Sequence, residues 1–164
     1  HLTLNEFDIA DYRSFFKITP PLRSENDRIA IIDAVNSGLI DIISSFHTPQ
    51  DEESKRLPFE TAAAGAVGLE TLLPASLQLF HNQSLSLGKL IKAMTLSPAI
   101  LMGLPSGRIT PGAPADLIIF DAHIPFVLDR DTLKSKSKNT PFDGHKLQGK
   151  VRRTIVAGKT VFEC

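Results

Sequence analysis

The sequence is short of cysteine, of net charge and of long apolar runs. One cysteine, Cys164, stands at the last of 164 positions, so no internal disulfide can form. That fits a reducing compartment, and a cytoplasmic protein is expected. Eighteen Lys and Arg balance eighteen Asp and Glu. No net field therefore favours nucleic acid or an anionic membrane surface as partner. No apolar run approaches the roughly 20 residues that a membrane-spanning helix needs. No basic-then-apolar signal opens the chain, and no internal repeat is visible. The first residue is His1, followed at once by Leu2-Thr3-Leu4 as if within an element, and we read the chain as the carboxyl-terminal part of something longer.

What is present is the composition of a globular domain, 42% hydrophobic and 22% charged, enough to bury a core. Asn5 and the acids after it give the chemistry of a short helical turn. Phe15 to Thr19 reads as a strand stopped by Pro20-Pro21. Ser24 is a helix N-cap and Gly38 the matching C-terminal glycine, with Ile29, Ile32 and Val35 on one side. Ile40-Asp41-Ile42-Ile43-Ser44 follows as a short buried strand, so a βαβ unit with a parallel pair is expected. It runs into Ser45-Phe46-His47-Thr48-Pro49-Gln50, an apolar strand that ends in polar chemistry. Such a loop, held by a rigid core, is where α/β enzymes place their sites.

Residues 51–58 read as a charged surface loop. Helices are expected around Leu72 to Phe80 with Pro74 near the start, from Ser86 through Met94, and around Pro98 to Met102. Beyond Leu104 the period changes to strands: Leu117 to Asp121, a second at Pro125 to Leu128, and a hairpin over Lys150 to Phe162 turning at Ala157-Gly158. A boundary near Leu104 thus divides the chain into an α/β part, 1–104, and a mainly β part, 105–164. The latter carries a polar surface excursion at 129–149. Lys134, Lys136 and Lys138 read as a solvated face.

The run Gly107 to Asp121 and the ending Val156 to Phe162 resemble the sequences where amidohydrolase-superfamily chains complete a small β-domain. Pro20-Pro21-Leu22-Arg23-Ser24, Val67-Gly68-Leu69-Glu70-Thr71 and Ser135 to Phe142 narrow the resemblance to the dihydroorotase family, in its longer bacterial type. The resemblance implies a TIM-type barrel, zinc at the carboxyl ends of its strands, and opening of dihydroorotate to carbamoyl-aspartate in pyrimidine biosynthesis. This chain would be its carboxyl-terminal part, α/β, with the last barrel strands and most of a small flanking β-domain. A half-barrel leaves unpaired edges, so the missing amino-terminal barrel part or a partner, and hence an oligomer, is expected.

The same resemblance assigns the site. Phe46 stands where the family has an aspartate, its general base, so no catalytic residue is intact here. Thr19, His47, Gln50 and Gly68 line the substrate, with Thr19 replacing an asparagine and Gln50 a histidine. His1 matches the second of a paired histidine whose first member is the metal ligand, so no metal ligand is assigned to this chain. Asp51 or Glu52 could replace the missing base only by swinging in from the loop. Family members without catalysis assemble with aspartate carbamoyltransferase, and the three replacements point to such a structural role; the alternative is an active zinc-dependent dihydroorotase captured as a fragment.

Overall fold

The longest helix shows how local chemistry sets the boundaries. In α1 (Glu25–Ser37) the Ser24 side chain accepts from the Asp27 amide at 3.2 Å, and Glu25 and Asp27 sit in the first turn. Gly38, at φ 84°, closes the helix by donating to Ala34 and Val35. The computed structural model describes all residues from His1 to Cys164. After α1 come α2 (Glu52–Arg56), α3 (Leu72–His81), α4 (Leu87–Met94) and α5 (Leu96–Leu101). Pro74 and Pro98 each stand third in their helix, where a missing N–H costs no intrahelical bond. Short 3₁₀ turns occupy Glu6–Ile9, capped by Asn5, then Ser14–Phe16 and Arg130–Thr132.

One antiparallel sheet follows, in the order β1 (Leu117–Val127), β2 (Lys146–Val156), β3 (Lys159–Glu163). The two strands expected at 117–121 and 125–128 are one. Its register with β2 jumps between Asp121 and Pro125, and this bulge on an edge strand is where a proline is tolerated. The β2–β3 hairpin turns at Ala157 and Gly158, both at positive φ, as expected. Gly149 on β2 lets Leu77 of α3 lie against the strand, since a Cβ there would overlap the leucine side chain.

Two apolar clusters hold these parts. Ile32, Val35, Leu79, Leu85 and Leu90 join α1, α3 and α4, with Ile43 packed against them. Leu79 and Leu90 are fully buried, each burial contributing about 1.5–3 kcal/mol. Val67, Leu128, Leu133 and Leu147 form the second cluster, which fastens the loop around Val67 to the sheet.

Three expectations are corrected. Residues 15–19 and 40–44 do not form a parallel βαβ pair. Ser14–Phe16 is a 3₁₀ turn, and the Ile43 amide donates to Ala93 rather than to a neighbouring strand. These stretches have extended sequence chemistry but no ladder partner in this chain. The 51–58 segment is not wholly loop, because Asp51 caps α2 by accepting from the Ser54 amide at 2.8 Å. The polar excursion at 129–149 is not only surface. Leu133, Asn139 and Thr140 are buried, and β2 begins inside it at Lys146. Asn139 bonds the loops it covers at Gly65 and Gln50, and the Thr140 hydroxyl accepts from the Phe142 amide, which lets a polar sequence lie inside.

Candidate functional site

The loop after Ile43 and the loop 63–68 lie side by side, and their backbones set the site. The Thr48 amide donates to the Ala66 carbonyl at 2.8 Å. Gly65 and Gly68 are required by this closeness. A Cβ on Gly65 would sit 2.5 Å from the Thr48 carbonyl oxygen, and one on Gly68 would run into that of Ser45. The Gly68 amide donates to His47 Nδ1 at 3.0 Å, with the Leu69 amide behind it at 3.4 Å. Nδ1 is thereby fixed as an acceptor, and neutral His47 carries its proton on Nε2.

Asn139 closes this arrangement from the other side. Its Nδ2 donates to the Gly65 carbonyl at 3.0 Å, its Oδ1 accepts from the Gln50 amide at 3.3 Å, and its own carbonyl accepts from Val67. Lys55 works on the same loop. Its Nζ donates to the carbonyls of Ala63 at 2.8 Å, Gly65 at 3.2 Å and Lys17 at 3.4 Å. Burial, and then the charge of Lys17, lower the Lys55 pKa to about 8. Neither residue was singled out by the sequence. Lys55 lies in a charged stretch and Asn139 in a polar one; the Lys55 partners stand 8 to 38 residues away and the side-chain partners of Asn139 74 and 89 away.

The walls so formed enclose a cavity of about 550 Å³. Thr19, Phe46 and Gly68 line it together, as does His1. His47 and Gln50 do not: His47 is turned to the amides above, and Gln50 faces a second groove beyond Asn139. Phe46 is 64% exposed and holds φ 46°, the left-handed region that Asn and Asp tolerate and a phenyl side chain does not favour. No carboxylate of this chain reaches the cavity lining. Asp51 and Glu52 line the second groove instead, and hydrogen bonds from the Ser54 amide and then its hydroxyl hold the Asp51 carboxyl below its ordinary value.

The sequence of residues 17–161 matches the model of the amidohydrolase family. The chain belongs to the amidohydrolase family. It is 48% identical over 162 residues to a dihydroorotase of Ehrlichia canis, and 39% identical over 163 residues to one of Aquifex aeolicus. Each match takes in 99% of this chain but only 36% and 38% of the relative, so the chain spans little more than a third of the curated relatives it matches. Among solved structures it resembles an L-hydantoinase from Arthrobacter aurescens, with a TM-score of 0.92 and 34% identity, over 99% of this chain and 37% of that one. A dihydropyrimidinase from Brevibacillus agri, at TM-score 0.89 and 21% identity, shares the fold. The α/β class expected from the sequence is therefore that of these enzymes. No helix is long and apolar enough to cross a membrane.

A metal centre needs several converging donors. This chain brings no three His, Cys, Asp or Glu side chains together, Phe46 has no donor atom, and His47 Nδ1 is already accepting amide hydrogens. By themselves these residues do not fit the zinc that the resemblance implies.

Proposed function

We propose that this chain is the carboxyl-terminal part of a cytoplasmic dihydroorotase-family protein of pyrimidine biosynthesis, catalytically impaired, that serves as a structural partner of aspartate carbamoyltransferase. One observation carries the impairment: Phe46 occupies the cavity wall where the family's base is expected, and this chain supplies no carboxylate to that lining. Opening a cyclic amide requires a group to take the proton of the attacking water, and a phenyl ring has no acceptor for it. A positioned acid–base group contributes about 10²- to 10⁴-fold, so its loss alone lowers turnover by that factor. Asp51 is engaged at the start of α2, on the groove side of Asn139, which argues against its substitution for the base.

A second reading, an active zinc-dependent dihydroorotase, draws support from His47, held in place by the Gly68 and Leu69 amides. Turnover of dihydroorotate and of carbamoyl-aspartate by the full-length protein, with added zinc, separates the two. The proposal expects no turnover above background and co-purification with the carbamoyltransferase. Metal-dependent turnover that survives Phe46→Ala and disappears in a His47 variant would overturn it.

A further inference from the structure

On the far side of the Gln50 and Asn139 partition lies a second concavity, of about 620 Å³, whose lining is polar except for Phe15. Three distant stretches supply its six cations: Arg13 before α1, Lys55 and Arg56 on α2, and Arg130, Lys136 and Lys138 from the segment leading to β2. Only three carboxylates face them, and each is engaged. Asp51 caps α2, Glu52 pairs with Arg56 at 2.5 Å, and Asp131 stands 3.8 Å from Arg130. Asp143, outside the lining, pairs with Arg13 at 2.6 Å and lies 3.9 Å from Arg130.

The three lysines have no carboxylate at all. Lys55 is 3% exposed and spends its N–H groups on backbone carbonyls, which satisfy its donors but leave its charge uncompensated. Lys138 does the same at the Leu133 carbonyl, 2.6 Å away, and Lys136 makes neither hydrogen bond nor ion pair. A cleft with low-dielectric walls and one sign of charge in excess concentrates ions of the other sign. The volume lies within the usual range for small-ligand sites, about 300–1,000 Å³, while the polar lining disfavours the apolar ligands such sites commonly hold.

We propose that this groove binds a small anion carrying at least two negative charges, as phosphate or carboxylate groups. Lys55 supplies charge from its buried position, and Lys136 and Lys138, from the segment leading to β2, give a second charged group its partner. The inference is independent of whether the neighbouring cavity is catalytic.

Calorimetric titration of the full-length protein at low ionic strength, with inorganic pyrophosphate and separately with succinate, tests it. At least one is expected to bind with Kd below about 1 mM, and Lys136→Glu to weaken it about tenfold or more. Because Lys136 makes no bond within the chain, that variant keeps the fold; Arg130→Gln provides a second, weaker decrement, and Phe46→Ala leaves the affinity unchanged. The stronger of the two anions identifies the ligand class. No heat from either up to about 10 mM, affinities untouched by both groove variants, or binding of polyglutamate without binding of either small anion would overturn the proposal. The last result would assign the surface to an acidic protein segment.

Discussion

Gly68 leaves no room for a side chain beside Ser45, whose carbonyl oxygen occupies the place a Cβ would take. That carbonyl is backbone, and it lies in the segment that carries Phe46 and His47, so it cannot yield without moving them. Gly68→Ala is expected to destabilise the protein by about 1–3 kcal/mol, the usual cost of overpacking. Gly88 in α4 has nothing within 4 Å of its own Cβ position. There the same substitution should stabilise by about 0.5–1 kcal/mol. Urea denaturation of the two variants reads the opposite signs.

Phe46 holds a conformation that suits another residue type. A bulky side chain in the left-handed region costs about 1–3 kcal/mol, and at 64% exposure the ring recovers little by burial. Phe46→Asn should therefore raise stability by about 1 kcal/mol. Phe46→Val, β-branched at the same backbone angles, should lower it. Thermal melts of the three proteins side by side check the order.

Asn139→Ala removes two hydrogen bonds, but not equally in consequence. The Gly65 carbonyl keeps the Lys55 ammonium, whereas the Gln50 amide loses its acceptor. The expected loss is about 1–3 kcal/mol. Hydrogen exchange should quicken at the Gln50 amide more than at Val67, which donates to the Asn139 backbone carbonyl and keeps that bond in the variant. Equal acceleration at both amides would mean that the side chain has no specific part in holding the wall.

Lys55 gives a pH signature. Its pKa in the folded protein is about 8, below the ordinary 10.5, because burial and the nearby Lys17 disfavour the charge. Between these values the unfolded chain binds more protons than the folded one, so stability should rise from pH 8 to about 10.5. The rise should be absent in Lys55→Met. In that variant the Gly65 and Lys17 carbonyls keep the Asn139 side chain and the Gly65 amide as donors, and only the Ala63 carbonyl is left without one. The substitution should thus cost about 1–3 kcal/mol near pH 10.5, a single unpaired buried acceptor, and less near pH 7, where it also removes the buried charge. Denaturation at a series of pH values measures both effects.

Helix ends were legible because capping is local: Ser24, Gly38 and Ser86 lie within a few residues of the groups they satisfy. The Ala157-Gly158 turn was legible for the same reason. Residues 40–44 look like a strand by composition, yet strand formation depends on a neighbour, which the sequence of one segment does not contain. The site was partly legible. Thr19, Phe46 and Gly68 do share a cavity, but the side-chain direction of His47 and the partition at Gln50 depend on Gly68 and Asn139, residues distant along the chain. Of the groove cations, Lys136 and Lys138 were visible in the sequence and read as a solvated face; their meeting with Arg13, Lys55, Arg56 and Arg130 from other segments was not.

The three-stranded sheet has a further consequence for handling. β3 bonds only to β2, all five of its residues are exposed, and Val161 and Phe162 stand out beside Lys159 and Glu163. Its open edge is a template for any extended chain, and its short length with a charge at each end limits that pairing without abolishing it. For this span by itself, an apparent melting temperature that changes with protein concentration would report association at that edge as well as the fold.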